Sequence, residues 1–232
     1  KSLLGVRIVT IAAGNAHSMV LTDEGTVLSF GDGEFGQLGH GDRAWAPQLV
    51  PKVIEALRGM CVVAIAAGGE HSMVLTDEGA VLSFGCGEEG QLGHGDEKDR
   101  LKPITIEALR GVRVVAAAAG GFHSMVLTDE GSVLSFGRGE CGLLGHGDQE
   151  QQVVPKVIKA LRGVRVAAIV PGTSGHSMVR TDEGIILSFG NGESGELGRG
   201  ERHVRDWRTL DPDRVAFGED PASCALTPHK IL

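Results

Sequence analysis

The tetrapeptide His-Ser-Met-Val occurs four times in this chain, beginning at His17, His71, His123 and His176, with spacings of 54, 52 and 53 residues. Self-similarity at a fixed period of this size makes each copy one supersecondary unit, too small to bury its apolar face alone and stabilised by stacking on its neighbours. Around each histidine runs nearly the same string. A small-residue run ends in glycine, HSMV(L/R)TDEG comes next, then one variable residue, then (V/I)LSFG-x-GE-x-G-x-LG. The fold is therefore a stacked array, and function lies in what the copies build together and in where they differ.

The second copy shows the local structure. Cys61 to Ala67 is apolar and small, His71 to Thr76 alternates, and Ala80 to Phe84 alternates again, a period of two that reads as three short strands. Between the last two lies Thr76-Asp77-Glu78-Gly79, where aspartate starts a turn and glycine accepts the left-handed conformation of a short hairpin loop. After a glycine-rich loop come segments 47–57, 101–109 and 153–161, rich in proline and β-branched residues. These read as fourth strands, or as strands whose IEAL ends begin a helical turn. Four short antiparallel strands per repeat, with evenly spaced turn signals, predict a propeller blade. The innermost strand of a blade has least room, which suits AIAAGN, AIAAGG and AAAAGG. A helical solenoid is excluded because glycine at this density costs each helix about 1 kcal/mol per residue.

The predicted fold is thus all-β, an array of four four-stranded blades with repeats at about 5–57, 58–109, 110–161 and 162–200. Residues 201–232 depart from the pattern. Within them Pro212-Asp213-Arg214-Val215 echoes Pro155-Lys156-Val157-Ile158 and is the candidate for a closing strand.

With 36 Gly, 41% hydrophobic residues and a formal net charge of -8 in 232 residues, the chain has the composition of a folded, turn-rich protein rather than a disordered one. The acidic balance opposes strong binding to phosphate backbones. No run approaches the ~20 apolar residues of a membrane span. Cys61, Cys86, Cys141 and Cys224 form no C-x-x-C pair, so neither a zinc nor a disulfide framework is expected, and reduced thiols fit a soluble intracellular protein of unassigned compartment.

Several motifs invite chemistry and have simpler readings. Gly31-x-Gly33-x-x-Gly36 matches a dinucleotide fingerprint, yet the next residues, Gln-Leu-Gly-His-Gly-Asp, cannot sustain the helix that would receive a pyrophosphate. His17, His71, His123 and His176 read as structural residues satisfying loop backbone groups rather than as a metal ring, because equivalent atoms of neighbouring blades stand far apart and metal bonds need ~2 Å. His40-x-Asp42, His94-x-Asp96 and His146-x-Asp148 read as turns. Neighbouring Ser18 and Asp23 make no triad with His17, since adjacent strand residues point to opposite faces. No cofactor, metal or catalytic residue is assigned. The TDEG turns and the arginines of the LRGVR connections share one face, where exposed ion pairs worth ~0–1 kcal/mol are expected.

What varies between copies sits on the other face, at the loop tips. The changing positions are Asp32, Cys86, Arg138 and Asn191, and Phe35, Glu89, Cys141 and Ser194, with Trp45 as a second aromatic loop candidate. Loop positions on a rigid frame are where a specific partner is acquired, and aromatic anchors dominate many interfaces.

The GxxHSMVLT, VLSFGxGxxGQLGHGD and downstream P-x-x-(V/I) elements, recurring in order over residues 5–200, resemble the repeats of the RCC1 family, named for the regulator of chromosome condensation. The resemblance implies a propeller fold, seven-bladed in family members of known type, so that four copies form a partial or unusually small ring that closes, stays open, pairs with another chain or is a fragment of a longer protein. It also implies either a noncatalytic protein-binding scaffold, alone or in a larger assembly, or nucleotide exchange on a Ran-type small GTPase. Exchange needs a large docking face, which an incomplete ring lacks, so the scaffold is preferred. The light sensing of a plant branch depends on clustered tryptophans, whereas Trp45 and Trp207 lie outside the core repeats.

Overall fold

The structure, a computed structural model, describes residues 3–198 and 224–230. Among these residues sixteen strands form four antiparallel sheets of four, each ordered along the chain. Blade 1 holds β1 (Ile8–Ala13), β2 (His17–Thr22), β3 (Val27–Gly33) and β4 (Ala44–Val53). Blade 2 holds β5 (Val62–Ala67), β6 (His71–Thr76), β7 (Val81–Gly85) and β8 (Arg100–Thr105). Blade 3 holds β9 (Val114–Ala119), β10 (His123–Thr128), β11 (Val133–Gly137) and β12 (Gln152–Val157). Blade 4 holds β13 (Val166–Pro171), β14 (His176–Thr181), β15 (Ile186–Asn191) and β16 (Cys224–Lys230).

The hairpin between the middle strands is set by TDEG: Gly25 takes φ +77°, its amide bonds the Thr22 carbonyl at 3.0 Å, and the Thr22 hydroxyl accepts from the Thr26 amide at 3.1 Å. Both readings of the IEAL segments are realised. The fourth strand ends at Val53, Thr105 or Val157, and Glu55–Leu57, Glu107–Leu109 and Lys159–Leu161 form single 3-10 turns that drop Leu57, Leu109 and Leu161 into the core.

The fourth strand of blade 4 comes from beyond the pattern break. Pro212–Val215 lies outside the described residues, whereas Cys224–Lys230 pairs with β15. Ser188 opposes His229, as Ser29 opposes Lys52 and Ser135 opposes Lys156. Pro228 therefore stands where Pro51 and Pro155 stand in their blades.

The core lies between blades. One face of blade 1, with Met19, Leu21 and Val27, packs on Ile65, Val74, Leu82 and Phe84 of blade 2, with Ile54 and Leu57 closing the seam. The same positions join blade 2 to 3 and blade 3 to 4. This arises from period two, which sends alternate side chains of β2 and β3 to opposite faces of the sheet. Each seam is finished by a glycine on an aromatic ring: a Cβ on Gly39, Gly93 or Gly145 would stand 2.8, 2.8 or 2.9 Å from the ring of Phe84, Phe136 or Phe189. Among the described residues the sheets stack in chain order without closing a ring.

The glycine-loop face as candidate functional site

Two loops of each blade meet on one face. Two residues before the end of β3 the backbone takes a positive φ at Gly31 (+107°), where a Cβ would collide with the Ala16 carbonyl oxygen, so only glycine allows the approach. The adjoining amide, Asp32 N–H, donates to that carbonyl at 2.8 Å, and Cys86 to Glu70, Arg138 to Phe122 and Asn191 to Gly175 repeat the bond at 2.9, 3.0 and 2.9 Å. Every blade thus mounts the residue after its strand-end glycine beside the loop that precedes its histidine. That second loop varies too, with Ala16, Glu70, Phe122 and Gly175 just before the four histidines. Sequence reasoning missed Glu70 and Phe122, although this variation was the available signal.

The frame holds different chemistry at its two ends. At the seam of blades 1 and 2, half-buried Glu70 is pushed above the usual carboxylate range by burial, then by Glu88, Asp32, Glu34 and Asp99 around it. Asp99 accepts from Arg43 at 2.7 Å and from the Gly87 amide at 2.9 Å. In blade 3 the Arg138 guanidinium lies 5.2 Å from the Phe122 ring centre and pairs with Glu140 at 2.5 Å and Glu89 at 4.0 Å. Beside it a cavity of ≈ 210 Å³ opens at the seam with blade 4, lined in part by Phe122, Arg138, Cys141, Thr173 and Asn191.

The loop tips share one device with one exception. The amides of Phe35, Glu89 and Ser194 are capped by the side chains of Gln37, Gln91 and Glu196 at 3.0, 2.9 and 2.9 Å. Blade 3 has Leu143 at that position, so Cys141 bonds Gln149 instead and takes the left-handed φ of +54°. Two expected loop-tip residues are placed differently. Cys86 is buried, with its thiol pushed up to about 11 by burial, because the loop carrying Glu88 folds over it. Trp45 is 83% exposed but sits on the outermost strand β4, not on a loop, because β4 runs from Ala44 and pairs it with Gly33.

The histidines are occupied elsewhere. His17, His71 and His123 are buried, and each Nε2 lies 2.8 Å from the hydroxyl of Ser72, Ser124 or Ser177 in the next blade. Those hydroxyls in turn donate to the carbonyls of Gln37, Gln91 and Leu143 at 2.8 Å. A hydroxyl has one hydrogen, so the imidazole Nε2 must be the protonated nitrogen. The expectation of backbone partners is corrected for these three, whose Nε2 meets a serine because stacking brings the next blade's hydroxyl within 2.8 Å. His40, His94 and His146 likewise reach Ser29, Ser83 and Ser135 at 3.2, 3.0 and 3.1 Å, tying the GHGD turn to its own third strand. Among the described residues His176, in blade 4, makes no such bond.

On the opposite face the expected ion pairs form, but with other partners. Arg58 and Arg110 pair with Glu55 and Glu107 of their own 3-10 turns, since three residues of separation bring them together more readily than a turn in another repeat does. The TDEG turns instead bond the connections through backbone, Asp129 N–H to the Arg113 carbonyl at 3.1 Å and Asp182 N–H to the Arg165 carbonyl at 3.0 Å.

The serine relay sets a stability prediction. Ser124→Ala strands both the His71 N–H and the Gln91 carbonyl and should cost about 2 kcal/mol. Ser18→Ala, in a blade where no described histidine reaches the serine, should stay within about 0.5 kcal/mol. Urea midpoints of the two variants check this, and equal losses would contradict it.

Comparison with known proteins agrees with this architecture. The chain is 39% identical over 210 residues to the ultraviolet-B receptor UVR8 of Arabidopsis thaliana, a match covering 90% of this chain and 46% of the receptor. It is 41% identical over 203 residues to the E3 ubiquitin-protein ligase HERC2 of Homo sapiens, covering 86% of this chain and 4% of the ligase. Thus the chain spans less than half the length of these curated relatives. Among solved structures it superposes on human WBSCR16 with a TM-score of 0.80 at 26% identity, over 98% of this chain and 54% of that one. The Prp20p structure from Saccharomyces cerevisiae gives 0.78 at 25% identity, over 98% and 51%. No helix among the described residues is long and apolar enough to cross a membrane. The family profile described as RCC1-like domain matches residues 1–226, and with four sheets built on one repeat, the chain belongs to the RCC1-like domain family.

Proposed function

We propose that this domain is a noncatalytic protein-binding scaffold whose glycine-loop face takes a basic segment of its partner. One observation carries the reading: four blades hold the same backbone frame on that face, while the side chains mounted on it differ and gather by chemistry. The acidic group around Glu70 at one end suits lysine and arginine, and the Arg138–Phe122 pair marks the edge of the binding region. The related Prp20p structure is described with its binding to Gsp1p and histones, and yeast RCC1 as bound to Kap60. Partner binding is therefore a property of relatives, and its transfer to this chain is part of the proposal.

Titration with a fluorescent lysine- and arginine-rich peptide tests it. The double variant Glu70→Lys, Glu88→Lys should weaken binding at least about tenfold, as the loss of two favourable charges and gain of two repulsive ones requires, with the difference shrinking at high salt. The same charge change on the opposite face, Asp77→Lys with Glu78→Lys, is the control. Equal loss in both doubles would mean nonspecific attraction to an acidic protein. Release of labelled GDP from a panel of small GTPases should stay at its spontaneous rate, and acceleration by orders of magnitude would favour the exchange-factor reading instead.

A further inference from the structure

The cavity at the seam of blades 3 and 4 on the glycine-loop face is bounded by two departures from the repeat, one on each wall. On the blade 3 wall stands Leu143, where blades 1 and 2 carry Gln37 and Gln91. Those glutamines cap the amides of their own loop tips, and Gln37 also donates to Asp32 at 3.0 Å. A leucine side chain has no donor or acceptor to spend on a loop tip, so Leu143 gives the cavity an apolar wall. On the blade 4 wall the loop before the histidine is one residue longer. Gly172-Thr173-Ser174-Gly175 stands where blade 3 has Gly120-Gly121-Phe122, and Gly175 accommodates the extra residue at φ +93°.

The lining fixes the chemistry that the cavity can take. Leu143 and the Phe122 ring are apolar, and Phe122 stays 42% exposed. Arg138 is already held by Glu140 at 2.5 Å and Glu89 at 4.0 Å, with its guanidinium 5.2 Å from the Phe122 ring centre, so it does not call for a further acid. Glu193 follows on the blade 4 side, its amide bonded to the Asn191 side chain at 3.0 Å. Carboxylates thus outnumber the arginine around the opening. The volume is ≈ 210 Å³. An apolar cavity of about 150 Å³ takes one benzene ring, whereas sites for whole small molecules run to ~300–1,000 Å³. The cavity has room for one side chain.

We infer that this cavity receives a single aromatic side chain of the partner, flanked in the partner's sequence by lysine or arginine. The inference rests on the reading that this face takes a basic segment, and it adds the residue that sets the register of that segment. Aromatic rings pair edge-on or offset with an exposed ring such as Phe122, and aromatic residues seated in pockets dominate the energetics of many interfaces. The surplus of carboxylates at the opening repels an acidic flank and attracts a basic one.

Free indole is the probe, followed through the amide chemical shifts of the full chain. It should shift the amides of Phe122, Cys141, Ser174 and Asn191 saturably at millimolar concentration and leave that of Glu70, at the seam of blades 1 and 2, in place. Leu143→Gln, which supplies the residue that blades 1 and 2 use, should weaken indole binding at least about fivefold, and so should Phe122→Ala, which alters an exposed side chain and keeps the fold. One tryptophan moved through successive positions of the lysine- and arginine-rich peptide should raise its affinity about tenfold at one register, a gain that Leu143→Gln erases. Indole carries no charge, so failure of the basic-segment reading leaves its shifts in place, whereas failure of the cavity abolishes them. No saturable shift, or shifts spread equally over the other seams, would overturn the inference. Indole binding with no gain at any register of the peptide would overturn the basic flank. Indole binding seen only in Trp207→Ala would show that a residue of this chain, rather than a partner, takes the cavity.

Discussion

On acidification the protein should lose stability from about pH 6.5 downward, well before its carboxylates titrate, and unfold near pH 5. Burial pulls His17 down to about 4, and His71 and His123 down to about 3, from the ordinary 6.5. Each has its Nε2–H donated to a serine, and the Nδ1 of His17 and His71 is enclosed without a partner, so a second proton would sit in the fold with nothing to receive it. An imidazole whose value is lowered by folding takes up its proton in the unfolded chain first. Its contribution is complete above 6.5 and is lost as the pH falls from there toward the folded value. Each unmatched proton is worth about 1.4 kcal/mol per pH unit, and three together about 4, against a total of about 5–15 kcal/mol for a typical domain. Glu70, raised by burial, acts in the opposite sense but is one group against these three and against His40, His94 and His146, which burial also lowers. Urea midpoints between pH 7.5 and 5 check the slope, and His71→Gln should reduce it by close to one proton. A flat profile across this range would mean that the histidines are not neutral and buried as described.

Phe84→Ala should cost about 4 kcal/mol, the usual loss for a fully buried aromatic truncated in a core that cannot collapse. Phe84 is fully buried, and its ring is clamped between its own sheet, Ile54 and the Gly39 turn of blade 1. The cavity would open inside the seam, so the loss should appear as separation of blade 1 from blade 2 as well as a lower midpoint. Phe30 occupies the same strand position in blade 1 but is only half-buried. Its truncation removes mainly transfer free energy, about 1–2 kcal/mol. Hydrogen exchange along β2 and β6 distinguishes the two: it should accelerate on both sides of the seam for Phe84→Ala, and in blade 1 alone for Phe30→Ala. Equal costs would show that position in the array does not matter.

Much of the fold was legible because its determinants are local. Alternation over five or six residues predicts β6 and β7, and TDEG with glycine at φ +77° to +84° predicts their hairpin. The fourth strand of blade 4 was not legible for the opposite reason: the register of Ser188 with His229, which places Pro228, exists only once β15 and β16 are paired. The candidate face was read in part. Variation marked Glu89 and Arg138, yet it placed Cys86 on a surface that its own loop covers and overlooked Glu70 and Phe122, since a neighbouring loop leaves no trace in the spacing of a strand end.

The sequence by itself determined the period, the four strands per repeat, the turns and the glycines, because each depends on backbone conformations within about ten residues. Tertiary structure alone decided where the histidines spend their hydrogen bonds, as their partners lie 53 to 55 residues away in the next blade. It alone decided which equivalent residues stay exposed, since Ile11 and Ile65 have the same local setting and differ only in having a blade packed on them. Stacking is a relation between repeats, and identical local sequences acquire different environments according to their place in the array.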